Sequence, residues 1–91
     1  MIPEYHDDER SLLASQTFRV LRVLADSDGF INISSICREA NLNHPSASRV
    51  LSLLEAKGVI SEKRVGRTRM FKANYDDERV SLFRRLAASD F

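Results

Sequence analysis

The stretch from Asn41 to Gly58 limits the folds open to this chain more than any other, because it writes both a start and a stop into one helix. Asn41 tolerates the left-handed conformation that a tight turn needs. Pro45 suits a first helical turn and biases His44 away from helical angles. A helix is therefore expected to begin at Pro45, with His44 or Asn43 as its cap. It is expected to run to about Lys57, with Gly58 as its stop. Inside it, Ala47, Val50, Leu51 and Leu54 share one face and would seat it on a core. Ser46, Ser48, Arg49 and Ser52 lie away from that seat.

The flanking segments give this helix a setting. Residues 11–26 carry a helical pattern in which Leu13, Ala14, Phe18, Leu21, Leu24 and Ala25 make a wide apolar stripe, extended by Leu12, Val20 and Val23. That is more apolar circumference than one thin core uses. The Asp26-Ser27-Asp28-Gly29 cluster ends it. Residues 30–33 read as one short strand, and Asn32 as the N-cap of a short helix over residues 33–40. Residues 59–65 and 68–75 read as two strands around Gly66-Arg67, a hairpin. Asp76, Asp77 and Glu78 put negative charge on the first turn of a last helix, which favours its start. That helix carries Val80, Phe83, Leu86 and Ala87 on one face. Residues 1–10, with Glu4, Asp7, Asp8 and Glu9, read as a flexible acidic lead-in that turns helical near Asp8.

Composition bounds the function classes. Ninety-one residues with 43% hydrophobic and 30% charged side chains make one small globular domain, expected over residues 11–91. A formal net charge of +1 leaves no global field to attract nucleic acid, so any basic patch is local. A single cysteine, Cys37, forms no internal disulfide, and no apolar run reaches the ~18 residues of a membrane span. A soluble cytoplasmic protein with no membrane partner is expected. Two histidines, one cysteine and scattered carboxylates show no catalytic pairing, and no glycine-rich phosphate loop occurs. The chain is expected not to be an enzyme and to need no cofactor.

The stretch Leu42-Asn43-His44-Pro45-Ser46-Ala47-Ser48-Arg49-Val50-Leu51-Ser52-Leu53-Leu54-Glu55-Ala56-Lys57-Gly58-Val59-Ile60 resembles the recognition helix of winged helix-turn-helix regulators. In the arsenic-repressor-like and multiple-antibiotic-resistance-repressor-like families this helix reads roughly L-S-x-S-T-V-S-R-H-L-x-x-L-E-x-x-G-L-I. Val65-Gly66-Arg67-Thr68-Arg69-Met70-Phe71-Lys72 resembles the wing of those families, a basic-glycine-basic tip before an aromatic strand. The resemblance covers about residues 18–74. It implies a mainly α fold with a small β-hairpin (α+β), ordered helix, strand, helix, turn, helix, hairpin, helix. It also implies a sequence-specific regulator that binds double-stranded DNA as a homodimer. The other reading is a winged-helix module for protein contact. Leu53, where the families usually have a polar residue, would serve that reading if it were exposed.

The candidate contacts follow from residue chemistry. Short hydroxyls at Ser46, Ser48 and Ser52 let a helix backbone approach a major groove, and Arg49 can pair bidentately with guanine. Small polar residues also make an ordinary solvated face. His44 and Pro45 stand at the mouth of this helix, where His44 is either a cap or solvent residue or a phosphate or base contact. Lys63, Arg64, Arg67, Thr68, Arg69 and Lys72 form a tip with no acid among them, suited to phosphates or the minor groove. An edge hairpin protected by charge is the plainer alternative. Ser34, Ser35 and Arg38 on the preceding helix suit backbone phosphates, although capping accounts for the serines equally.

Cys37 stands where arsenic-repressor-like proteins often carry paired cysteines, but as a single thiol it lacks partner ligands. No metal site is expected there; a half-buried packing role is the simpler one, and a one-cysteine redox switch is the alternative. A dimer interface is expected from Leu13, Phe18, Leu21, Val80, Phe83 and Leu86 on the first and last helices. Without a long ligand-binding segment, no small-molecule effector is expected.

Overall fold

The computed structural model describes residues 4–88, with side chains from residue 9 onward. Its elements are α1 (Glu4–Ala25), β1 (Ile31–Asn32), α2 (Ile33–Ala40), α3 (His44–Ala56), β2 (Ile60–Val65), β3 (Thr68–Ala73) and α4 (Glu78–Ala88). The first helix starts earlier than the acidic lead-in suggested. Residues 4–10 are helical, and residues 1–3 lie outside the described range. No glycine or proline interrupts the chain between Glu4 and Ala25, so nothing local stops the helix from extending backwards.

Both ends of α2 and α3 are set by local chemistry. The Asn32 side chain accepts from the Ser35 amide at 2.8 Å, and Asn43 accepts from the Ser46 amide at 2.9 Å. Asparagine at these N-caps pairs an amide that the helix itself leaves free. Asn41 is left-handed with φ 56°, as is Gly58 with φ 75°. Around Asn41, the Leu42 amide donates to the Cys37 carbonyl and the Asn41 amide to Arg38. Around Gly58, the Val59 amide donates to Leu54 and the Gly58 amide to Glu55. Both helices thus close with the same paired six-to-one and five-to-two hydrogen bonds.

The sheet has three strands in the order β1-β3-β2, both pairs antiparallel. The short strand expected over residues 30–33 narrows to Ile31 and Asn32, which pair with Phe71 and Met70. A two-residue turn at Gly66-Arg67 sets the hairpin register, with Val65 opposite Thr68 and Arg64 opposite Arg69. Gly66 takes φ 64° at the first turn position, the geometry that two-residue hairpins favour.

The core gathers one face from each element: Val20 and Leu24 of α1, Ile33 and Ile36 of α2, Val50, Leu51 and Leu54 of α3, Ile60, Phe71 and Ala73 of the sheet, and Val80 of α4. The seat expected for α3 is the one observed, since Ala47, Val50, Leu51 and Leu54 are all buried. Val80 requires a correction. The sequence pattern places it at a dimer surface, whereas it packs into the core beside Leu54 and Val59 and is 3% exposed. The path of α4 across α1 and the end of α3 turns that side chain inward. Leu13 and Leu21 also pack partly against the core.

Candidate nucleic-acid interface

The outward face of α3 carries His44, Pro45, Arg49 and Ser52, all exposed, with Ser46 and Ser48 half-buried at its edges. The N-cap at Asn43 and the closing turn at Gly58 hold this face at both ends. On α2, Ser34 and Arg38 are exposed, while the Ser35 hydroxyl accepts from Arg38 at 3.3 Å. Cys37 is half-buried against the core, as a packing role requires.

Asn74 fixes the wing against α3. Its side-chain amide donates to the Gly58 carbonyl at 2.7 Å, its side-chain oxygen accepts from the Ser61 hydroxyl at 2.6 Å, and its backbone amide donates to Val59 at 2.9 Å. One side chain therefore joins the end of α3 to the base of both hairpin strands. At the far end, Lys63, Arg64, Arg67 and Thr68 are exposed. The Lys63 ammonium lies 4.3 Å from the Phe30 ring centroid and that of Lys72 lies 5.8 Å away, so the two cations flank one aromatic face.

Arg69 departs from the expected run of unpaired cations. Glu62 accepts from its Nε at 2.8 Å and from a terminal nitrogen at 3.3 Å. The hairpin register puts Arg64 directly opposite Arg69, a like-charge pair that opposes the fold, and Glu62 two residues along on the same face. The Arg69 guanidinium hydrogen bond holds the Glu62 carboxyl below its ordinary range, with help from the charges of Arg69 and Arg64. The acid was absent from residues 63–72 and came from just outside them, and writing out the two-residue hairpin register would have found it.

An apolar groove between α1, α3 and α4 is lined by Leu13, Phe18, Leu21, Leu53, Leu54 and Phe83. The Phe18 and Phe83 rings meet edge to face, with centroids 5.3 Å apart. Leu53 is 40% exposed, but it continues the wall of this groove. Among the described residues, no three His, Cys, Asp or Glu side chains gather as metal ligands, and no helix is long and apolar enough to cross a membrane.

A helix-turn-helix whose second helix faces outward, followed by a hairpin with a basic tip and a closing helix, defines a winged helix-turn-helix fold. The MarR family model matches residues 13–69, well over half of the sequence, and the chain belongs to that family. No curated protein matches it.

Solved structures share the fold. A MarR family transcriptional regulator from Silicibacter pomeroyi superposes with a TM-score of 0.68 at 23% identity over 94% of this chain. The chain spans 61% of that protein's length. The homodimeric winged helix-turn-helix DNA-binding domain of a possible ArsR-family regulator from Mycobacterium bovis gives a TM-score of 0.68 at 17% identity, covering 98% of this chain and 85% of that one. NadR in complex with 4-hydroxyphenylacetate gives 0.65 at 17% identity, covering 96% and 73%. The expectation that no small-molecule effector acts here draws no support from that neighbour, which was solved with an aromatic acid bound.

Proposed function

We propose that this chain is a sequence-specific regulator of transcription that binds double-stranded DNA as a homodimer in the cytoplasm. The observation that carries the reading is the exposed Arg49 face of α3, held by caps at both ends and flanked by a basic hairpin tip. In this reading α3 enters the major groove. Arg49 reads a base edge, and Ser46, Ser48 and Ser52 allow close approach. Arg64, Arg67, Lys63 and Thr68 meet phosphates or the minor groove, and Ser34, Arg38 and His44 add backbone contacts.

Dimer formation draws support from the exposed Phe18 and Leu86 on α1 and α4, and from the homodimeric Mycobacterium bovis neighbour. Protein contact through the reading face is the weaker alternative. The exposed leucine that would favour it, Leu53, lines the groove shared with Phe18 and Phe83.

The test is binding to random duplex DNA across a salt series, followed by selection of a preferred site. Arg49→Ala is expected to weaken binding to that site by about 1–3 kcal/mol and to relax preference at one position. An equal loss on every sequence would make Arg49 a phosphate contact, and no binding to any duplex at low salt would end the DNA reading.

A further inference from the structure

Two arginines outside the reading face make the same contact at equivalent places. In α2 the left-handed residue is Asn41, and in α3 the chain closes at Gly58. The residues just before them, Ala40 and Lys57, carry carbonyls that the closing hydrogen bonds of those turns do not use. Arg19 of α1 donates from one terminal nitrogen to Ala40 at 3.1 Å and to Asn41 at 3.3 Å. Arg79 of α4 donates to Lys57 at 2.9 Å, and the same guanidinium grips both oxygens of Asp77 at 3.0 and 2.8 Å.

A helix C-terminus carries the negative end of the helix dipole, so a cation there gains from charge as well as from the hydrogen bond. Each helix of the reading unit is thus tied at its C-terminal end to one of the two outer helices. The Nε of Arg19 is buried with no partner among the described residues. Its own hydrogen-bond needs are therefore not all met where it sits, and the turn carbonyls are what hold it there.

We propose that Arg19 and Arg79 are positioning residues that set the angle of the α2–α3 unit against the outer helices. Through that angle they set the half-site spacing a dimer accepts. The proposal rests on the reading of α3 as the DNA helix and of α1 and α4 as the dimer interface. In a two-fold dimer whose recognition helices stand about 34 Å apart, each lies about 17 Å from the axis. A rocking that shifts each helix by about 1.7 Å along the DNA changes the separation of the pair by about 3.4 Å, the rise of one base pair. Planar guanidinium donors on fixed carbonyls resist such rocking, because they constrain direction as well as distance. Arg79 is 62% exposed at its side chain, so water and salt weaken its hold more than that of the half-buried Arg19.

The experiment selects a palindrome from random duplex DNA with the wild-type chain, then moves its half-sites by one and two base pairs in either direction. The wild type is expected to lose about tenfold or more in affinity for a one-base-pair change, and Arg19→Gln about threefold or less. Arg79→Gln is expected to fall between them. Arg19→Lys keeps the cation but replaces the planar fork with a freely rotating ammonium, and also falls between the wild type and Arg19→Gln. Circular dichroism and sedimentation establish that each variant is a folded dimer. Loss of affinity by one factor at every spacing overturns the proposal, because the arginines then act on stability alone. If Arg19→Gln does not fold, an unchanged spacing profile in Arg19→Lys overturns it instead. A wild type that selects no duplex, or selects single half-sites as a monomer, defeats the DNA-dimer reading itself, and this proposal falls with it.

Discussion

Asn43 and Asp77 show how single side chains place whole helices. Asn43 opens α3 by accepting the Ser46 amide, so Asn43→Ala is expected to cost about 1 kcal/mol and Asn43→Asp close to nothing. Urea unfolding of the three proteins measures this. Asp77 opens α4, accepting the Arg79 amide at 2.8 Å. The Arg79 guanidinium, together with backbone amides of Arg79 and Val80, pushes its carboxyl down to about 2 from an ordinary 3.8. A carboxyl depressed in the folded state stabilises above its unfolded range and ceases to do so as pH falls through its folded value. The wild-type melting temperature is therefore expected to drop more steeply between about pH 4 and pH 2 than that of Asp77→Asn, which keeps an acceptor but has no charge to lose. Glu62 is shifted in the same direction, so the comparison is made between the two proteins at each pH. Parallel melting curves over that window would show that Asp77 does not contribute.

The wing is the element whose charge the fold redistributes. Arg67 stands exposed at the turn, whereas Arg69 is held by Glu62. Arg67→Ala is expected to reduce the slope of log affinity against log salt by about one, and Arg69→Ala by clearly less. Glu62→Gln removes the carboxylate charge from Arg69 and is expected to steepen the slope. The same salt series reads all three. Equal losses for Arg67→Ala and Arg69→Ala would mean that the ion pair opens on DNA. Lys63 and Lys72 beside Phe30 add cations on the same hairpin whose stems are steadied by an aromatic face.

At the scale of the whole molecule, the outer helices leave apolar surface uncovered. Phe18, which lines the groove with Phe83 and Leu53, is 52% exposed, and Leu86 of α4 is 48% exposed. In a two-fold interface each patch meets its own copy, so a charge placed there is buried twice over. Phe18→Glu is expected to give a monomer with unchanged helix content, by sedimentation equilibrium and circular dichroism. Phe83 is half-buried, meets Phe18 edge to face and lines a cavity beside Leu54 and Val80, so a charge at that position would disturb the monomer as well. A wild type that stays monomeric at tens of micromolar would remove the dimer.

What the sequence determined by itself was everything set within one or two helical turns. The cap at Asn32, the narrowing of the α3 cap to Asn43 or His44, the left-handed Asn41, the stop at Gly58 and the buried stripe of α3 all follow from neighbours a few residues apart. Local sterics and hydrogen bonding fix such features before any long-range contact forms. Within the candidate interface, the exposure of Arg49, Arg67 and Ser52 was legible for the same reason. Only the tertiary structure decided that Val80 turns into the core, that Glu62 takes Arg69, and that Arg19 and Arg79 reach carbonyls about twenty residues away in the chain. Each of these depends on the path one element takes over another. A path of that kind is set by the packing of many side chains at once, and no single stretch of sequence encodes it.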